Sequence, residues 1–454
     1  MNAMPEYREA LRGAPLTRRV GQVRQLGGLA IDVCGLDARI GELCSVWPRQ
    51  DHKNALDQLP VLAEVVAVAS EHLTLMPYGS LQGLAAGCDV VAQGLQATMA
   101  VGDGLLGRVV DAFGHPMDGG APPGTTAERP LRCAAPNPMD RPRIEHVLET
   151  GVRSIDALLT LGQGQRVGIF AGSGIGKSTL LGMIARHVKA DVNVIALVGE
   201  RGREVREFIE KQLGAEGLAR SVVVVATSDQ PALTRLRAAY AALAIAEHFR
   251  DRGKQVLLTM DSITRFAMAR REVGLAAGEP PTARGYTPSV FAELPQLCER
   301  CGTAAGGGAI TALMTVLVEG DDLNEPVSDN LRAILDGHIV LSRQLAHAGQ
   351  YPAVDLLKSA SRVMPDVATA HQRGLAARAL KLVALLERNR QMVEIGAYER
   401  GTNPELDTAL AAEPELDAWL RQDTGGAPRT AAIEQLGVIM AMADRPQAMQ
   451  RGRP

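Results

Sequence analysis

The stretch Ala171-Gly-Ser-Gly-Ile-Gly-Lys177-Ser178 constrains this chain more than any other, because it joins a strand-like run, Arg166 to Phe170, to a helix-like run, Ser178 to Val188. In that context it reads as a phosphate-binding loop. Glycines let successive backbone N–H groups turn inward at a helix N-terminus, Lys177 adds a point charge, and the Ser178 hydroxyl is available to ligate Mg²⁺. Ala171 stands where the strict pattern has its first glycine. That position only opens the turn, and Gly172, Gly174 and Gly176 keep the backbone open where phosphates approach.

Three regions differ in pattern. From about Leu16 to Leu95, short β-branched or alternating runs (Val20 to Val23, Leu29 to Val33, Val61 to Val68, Leu73 to Met76) are separated by Gly or Pro turns, which predicts a small β-barrel. From Met99 to Pro365, apolar strand-like runs (Asn193 to Val198, Val222 to Ala226, Gln255 to Met260, Ile310 to Leu317) alternate with helical patterns such as Gln230 to Asp251. Such alternation predicts an α/β fold, a parallel sheet flanked by helices. Beyond Val367 the strand-like runs stop, and Leu375, Ala379, Leu382, Leu385 and Leu386 recur at helical spacing, with breaks at Asn403-Pro404 and Gly425-Gly426. We therefore read 16–95 as a barrel domain, 96–366 as a P-loop domain and 367–454 as a C-terminal helical domain. The Pro-rich stretch Ala134 to Pro142 reads as a connector entering the nucleotide fold.

Charge narrows the function. Lys and Arg number 48 against 51 Asp and Glu, a net charge of -3, which gives no electrostatic footprint for nucleic acid. No apolar run approaches the length of about 18 residues that spans a bilayer. The segment Met1 to Val20 is polar and has no apolar signal core, so the cytoplasm is the expected location. Six cysteines are too sparse for a disulfide framework in 454 residues. Cys298 and Cys301 form a C-x-x-C within a helix-like run, with no second pair and no nearby histidine to complete a zinc site.

Hydrolysis of a nucleoside triphosphate needs a water in line with the γ-phosphate, a metal bridging phosphate oxygens, and cations to absorb the spreading charge. Gln255-Val-Leu-Leu-Thr-Met-Asp261 is a buried-strand run ending in a carboxylate, the arrangement of a Walker B acid that holds Mg²⁺ through water. Glu200 ends another apolar strand, and strand C-terminal ends of such sheets face the ligand crevice. Two readings of Glu200 stand: a base beside the attacking water, or an exposed member of the charged run Arg201, Arg203, Glu204, Arg206.

These regions, together with Gly199-Glu-Arg-Gly-Arg-Glu-Val-Arg-Glu-Phe208, Met260-Asp-Ser-Ile-Thr-Arg-Phe266, Gly278-Glu-Pro-Pro-Thr-Ala-Arg-Gly-Tyr286, Leu335-Asp-Gly-His-Ile-Val-Leu-Ser-Arg343 and Tyr351-Pro-Ala-Val-Asp355, resemble the type III protein-export ATPases, relatives of the rotary F-type ATPase catalytic subunits. The resemblance runs from about Arg18 onward. Asp229-Gln-Pro-Ala-Leu233 and Lys358-Ser-Ala-Ser-Arg-Val-Met364 look most like the flagellum-specific branch.

The resemblance implies a RecA-like core binding ATP and Mg²⁺ through Gly172, Ser173, Gly174, Ile175, Gly176, Lys177, Ser178 and Thr179, with Ser178 and Asp261 on the metal side. Lys177 would bind the β- and γ-phosphates, Glu200 would polarise the water, and Arg201 and Arg265 would contact the phosphate end. Glu200 matters here because non-catalytic subunits of the rotary relatives carry Gln at the matching place, which cannot accept the proton. Tyr351 would stack on the adenine, and Arg362 would be the arginine finger reaching into a neighbour's site. The resemblance also implies a homohexamer, a coiled-coil stalk in a central opening lined by Gly278 to Gly285, and a stator-like negative regulator at the N-terminal segment 1–15. An export gate, chaperones and export substrates would complete the partners, with peripheral association at the inner membrane and no insertion. The region Leu386-Glu-Arg-Asn-Arg-Gln-Met392 lacks the acidic stalk-contacting run of the synthase subunits.

Three other readings remain at this point. An injectisome export ATPase shares most of the same motifs. A catalytic subunit of a rotary synthase would need a non-catalytic partner chain. An RNA-translocating hexamer would need basic aromatic stacking residues in the barrel, where Tyr78 is the only Tyr or Phe.

Overall fold

The computed structural model describes residues 19–49, 59–318, 320 and 322–443. The segment 1–15, expected to carry a regulator, lies outside them. The chain divides into two compact units: 19–98 with Gln230–Thr234 and Ala269–Pro288, and the remainder.

In the first unit, six antiparallel strands, β1 (Arg19–Gly27), β2 (Ala30–Cys34), β3 (Glu42–Trp47), β4 (Val61–Val68), β5 (Leu73–Pro77) and β6 (Asp89–Gln96), close a barrel in the order β1-β2-β5-β4-β3-β6. Ile31, Val33, Val46, Ala63, Val65 and Leu75 fill its interior. β3 and β6 are absent from the runs read off the sequence. The inward face of β3 opens with a carboxylate: Glu42 is buried, accepting from the backbone N–H of Arg39 and Gly94 at 3.1 and 2.9 Å and pairing with Arg19. A polar residue satisfied in this way disguises a half-buried strand.

The second unit is built on a central sheet. Its main strands are β7 (Arg108–Asp111), β8 (Arg166–Ala171), β9 (Val192–Glu200), β10 (Ser221–Thr227), β11 (Gln255–Asp261), β12 (Ala309–Leu317), β13 (Gly337–Leu341) and β14 (Val354–Ser361), in the order β14-β13-β8-β12-β11-β9-β10-β7. β13 and β14 pair antiparallel and the other neighbours are parallel. β9 and β12 are buried along nearly their whole length, as a sheet covered on both faces requires. The phosphate loop leaves β8 in the middle of the sheet.

Beyond Val367 the described residues form three helices, Ala370–Glu394, Pro404–Leu420 and Arg429–Ala443. Asn403 caps the second, its Oδ1 accepting from the N–H groups of Glu405 and Leu406 at 3.1 and 3.2 Å, with Pro404 at the first helical position. Leu375, Ala379, Leu416, Trp419 and Met440 share one hydrophobic core with the sheet strands, so these helices are packed into the second unit. Cys298 and Cys301 are buried, Cys298 Sγ lying 3.6 Å from Met314 Sδ, and burial pushes both thiols up, that of Cys301 to about 12. Among the described residues no helix is long and apolar enough to cross a membrane.

Candidate active site

The phosphate loop takes its shape from glycine. Gly174 and Gly176 sit at φ 78° and 89°, values that L side chains rarely adopt, and the helix Lys177–His187 begins at once. Ile175 is buried and anchors the loop, while Ser173, Gly174 and Ser178 are exposed and Thr179 is half-buried. A Cβ at Gly176 would lie 3.3 Å from the ring of Tyr351, so the ring closes over the loop.

β9 and β11 are neighbours, with Leu197 opposite Asp261, and their ends bring two carboxylates together in front of that loop. The Lys177 ammonium donates to Asp261 Oδ1 and lies 3.7 Å from Glu200 Oε1. Asp261 Oδ1 also accepts from the hydroxyl of Thr315 at 2.7 Å. Burial first, and then the Asp261 charge, raise the Glu200 carboxyl to about 7; Lys177 opposes the rise and a hydrogen bond with Glu204 adds to it. Glu200 is therefore not an exposed member of its charged run. It is a largely buried carboxyl poised near neutrality, where a general base works best.

Arg265 packs its aliphatic stem over Gly199, where a Cβ would come within 2.9 Å of Arg265 Cβ. Its Nε is buried without a hydrogen-bond partner. The Arg201 side chain is 79% exposed and lies 3.6 Å from Glu204. Tyr351 is half exposed, and its carbonyl accepts from the backbone N–H of Gln422 at 2.8 Å. The Gln422 side chain in turn accepts from Arg153 N and donates to the carbonyls of Gly151 and Gly425, each at 2.8 Å.

Arg362 stands apart. β14 runs antiparallel to β13, so Tyr351 precedes it at the phosphate-loop end while Arg362 follows it at the far end, beside Asp336, whose carbonyl accepts from Arg362 N at 3.0 Å. Ser361 pairs with Gly337, which pairs with Val167 near the start of β8. The length of β8 separates that level from the loop, about 17 Å at 3.3 Å per residue. Arg362 is exposed, with Nη2 donating to the Arg332 carbonyl at 3.2 Å.

The geometry brings Lys177, Glu200 and Asp261 together in front of the loop, sets Tyr351 against Gly176 and Arg265 against Gly199, and leaves Arg362 at the far end of the sheet. Thr315 and Gln422 escape sequence reading, since a threonine in a strand and a glutamine after a helix carry no distinguishing pattern.

Comparison with known proteins identifies the family. Residues 151–361 match the ATP synthase alpha/beta family, nucleotide-binding domain, and residues 368–436 match the T3SS EscN ATPase C-terminal domain. The chain is 54% identical over 407 residues to the flagellum-specific ATP synthase of Bacillus subtilis strain 168, covering 90% of this chain and 92% of that one. This chain belongs to the type III protein-export ATPase family.

Within that family it is 48% identical to the flagellum-specific ATP synthase of Salmonella typhimurium, with 93% of each chain covered, and 49% identical to the type 3 secretion system ATPase of Xanthomonas euvesicatoria, with 90% of each covered. Among solved structures, the assembled ATPase EscN from the enteropathogenic E. coli type III secretion system superposes with a TM-score of 0.86 at 44% identity, covering 92% of this chain and 99% of that one. Family membership gives the phosphate loop a nucleotide to bind, and its barrel, sheet and helices are those of the family.

Proposed function

We propose that this chain is the ATP-hydrolysing motor of a flagellar protein-export apparatus, working as a homohexamer with one nucleotide at each subunit interface. The observation that carries the chemistry is the Lys177–Asp261–Glu200 cluster facing the phosphate loop. One ammonium stands against two carboxylates there, and Glu200 is raised to about 7. The 54% identity to the Bacillus subtilis flagellum-specific protein supports the flagellar branch, while the 48% to the Salmonella flagellum-specific protein and the 49% to the Xanthomonas ATPase do not separate the two branches.

Mg²⁺ and ATP fit this donor set: two left-handed glycines open a cradle of N–H groups, an exposed Ser178 hydroxyl lies in the first turn of the helix, and the excess carboxylate accommodates a cation. Ser178 and Asp261 would hold the metal, which would act as a Lewis acid and neutralise charge developing on the phosphate. Lys177, already at the mouth of the loop, exchanges its carboxylate partners for phosphate oxygens. Glu200 orients the water and accepts its proton at the carboxylate. Arg265, with an unpartnered Nε, adds positive charge beside Gly199. Tyr351 offers its ring to the base. Arg362, too far from its own loop, supplies the finger to an adjacent copy.

EscN has been solved assembled and also in complex with its central stalk EscO. A ring of this chain around a coiled-coil stalk follows as the partner arrangement, with a stator-like regulator, chaperones and export substrates, at the inner membrane without insertion. The decisive experiment is the Mg²⁺-ATPase rate per chain across a wide range of protein concentration. A cooperative rise supports a site completed by a neighbour; a rate near zero at every concentration would overturn the homomeric motor and return the two-chain synthase reading.

A further inference from the structure

We propose that Thr315 is a positioning residue for Asp261, turning the carboxylate so that one oxygen is held by protein and the other is kept for the metal's water shell. This rests on Asp261 acting as the metal-side acid. β12 reads Ala-Ile-Thr-Ala-Leu-Met-Thr-Val-Leu, and its buried positions are otherwise almost all apolar. Thr315 is completely buried at the middle of the sheet. A hydroxyl there carries a desolvation cost that an isosteric valine would avoid, so its hydrogen bond has to be accounted for. It is made to the acid: Thr315 Oγ1 lies 2.7 Å from Asp261 Oδ1, against 3.4 Å from the Met260 carbonyl.

The consequence is an asymmetric carboxylate. Asp261 Oδ1 receives both the Thr315 hydroxyl and the Lys177 ammonium, whereas no hydrogen bond from a described residue reaches Oδ2. When Lys177 turns to phosphate, Thr315 remains the one donor holding Oδ1, and the side chain keeps its orientation through the cycle. A second threonine ties the same two elements further along: Thr264 Oγ1 accepts from Leu317 N at 2.8 Å, fixing the end of β12 to the segment that follows Asp261. Partners that orient a ligating group in this manner typically account for about 10- to 100-fold in metal affinity.

The test is binding of a fluorescent ADP to the full chain with and without Mg²⁺, together with thermal unfolding. Thr315→Val should keep its metal-free ADP affinity and its unfolding midpoint while the Mg²⁺ concentration giving half of the metal-dependent tightening rises about tenfold. Thr315→Ser should restore the wild-type value. If Thr315→Val loses its cooperative unfolding transition, Thr315→Cys, with a weak donor of similar volume, takes its place and should show the same rise. A Mg²⁺ response within twofold of wild type overturns the proposal. Asp261→Asn separates the two ideas. If Asp261→Asn abolishes the Mg²⁺ response and Thr315→Val leaves it intact, only the role of Thr315 fails; if Asp261→Asn leaves it intact, the reading of Asp261 fails and Thr315 with it. In the Asp261→Asn background, Thr315→Val should add nothing.

Discussion

The two ends of the central sheet handle charge in opposite ways. At the start of β8, Arg166 holds Asp336 through two parallel bonds of 3.0 Å and also binds Glu299, which lies 3.5 Å from Arg141. Cations and carboxylates balance there, with planar guanidinium geometry. At the other end the Lys177 ammonium is the one cation among the described residues within ion-pair distance of both Asp261 and Glu200, and burial, with the Asp261 charge added to it, raises the Glu200 carboxyl to about 7. The balanced cluster ties strands together; the unbalanced one is short of a cation and fits a charged ligand. Arg362 sits at the balanced end, and no carboxylate among the described residues lies within ion-pair distance of it. On the proposed reading, the carboxylates at one end and the unpaired Arg362 guanidinium at the other are two halves of a site completed only between two copies.

The sharpest way to break this contrast is Arg362→Ala, expected to lower turnover by about 10³- to 10⁵-fold while rings still assemble. Mixing it with Lys177→Ala should restore a fraction of the activity, because some interfaces then pair an intact loop with an intact finger. Near wild-type ATPase in Arg362→Ala rings would sink the two-copy site. Glu200→Gln comes next, with a loss of about 10²- to 10⁴-fold in kcat and retained nucleotide binding, measured by a coupled assay and by fluorescent ADP. At the balanced end, Arg166→Leu leaves Asp336 without its guanidinium and Glu299 with Arg141 alone, and should lower unfolding free energy by about 3 kcal/mol in denaturant titration, without changing nucleotide affinity. Tyr351→Ala should weaken ATP binding by about 1 to 3 kcal/mol and leave tripolyphosphate binding untouched. The smallest effect is on pH. A carboxyl raised to about 7 stays protonated in mildly acidic solution, so kcat/KM should climb about tenfold between pH 6 and 8 and level off above, and Glu200→Gln should flatten that limb.

Much of this was legible in the sequence, and for identifiable reasons. A phosphate loop and a carboxylate closing an apolar strand are local patterns, so Lys177 and Asp261 stand out in the sequence itself, whereas Arg362 is marked only by the family resemblance. Parallel strands buried on both faces are continuous apolar runs, and β9 to β12 were readable as such. What stayed hidden depends on neighbours distant in sequence. β3 was missed because Glu42, satisfied by Arg19, Arg39 and Gly94, occupies an inward position. Thr315 looks like an ordinary strand former until β11 is laid beside β12. The closeness of Tyr351 to Gly176 requires the chain to cross from one sheet strand to another. Arg201, which the family motif marks for a phosphate contact, is exposed beside Glu204 in the folded chain.

Gln422 gives the helical region a mechanical meaning. Its backbone holds the Tyr351 carbonyl, and its amide clamps Gly151, Arg153 and Gly425. With Tyr351 read as the stacking partner of the base, a load on the turn after the second C-terminal helix would reach that ring through one peptide group. Linkage of this kind is reciprocal: a base stacked on Tyr351 would stiffen the turn by as much free energy as pulling the turn would remove from the grip on the base.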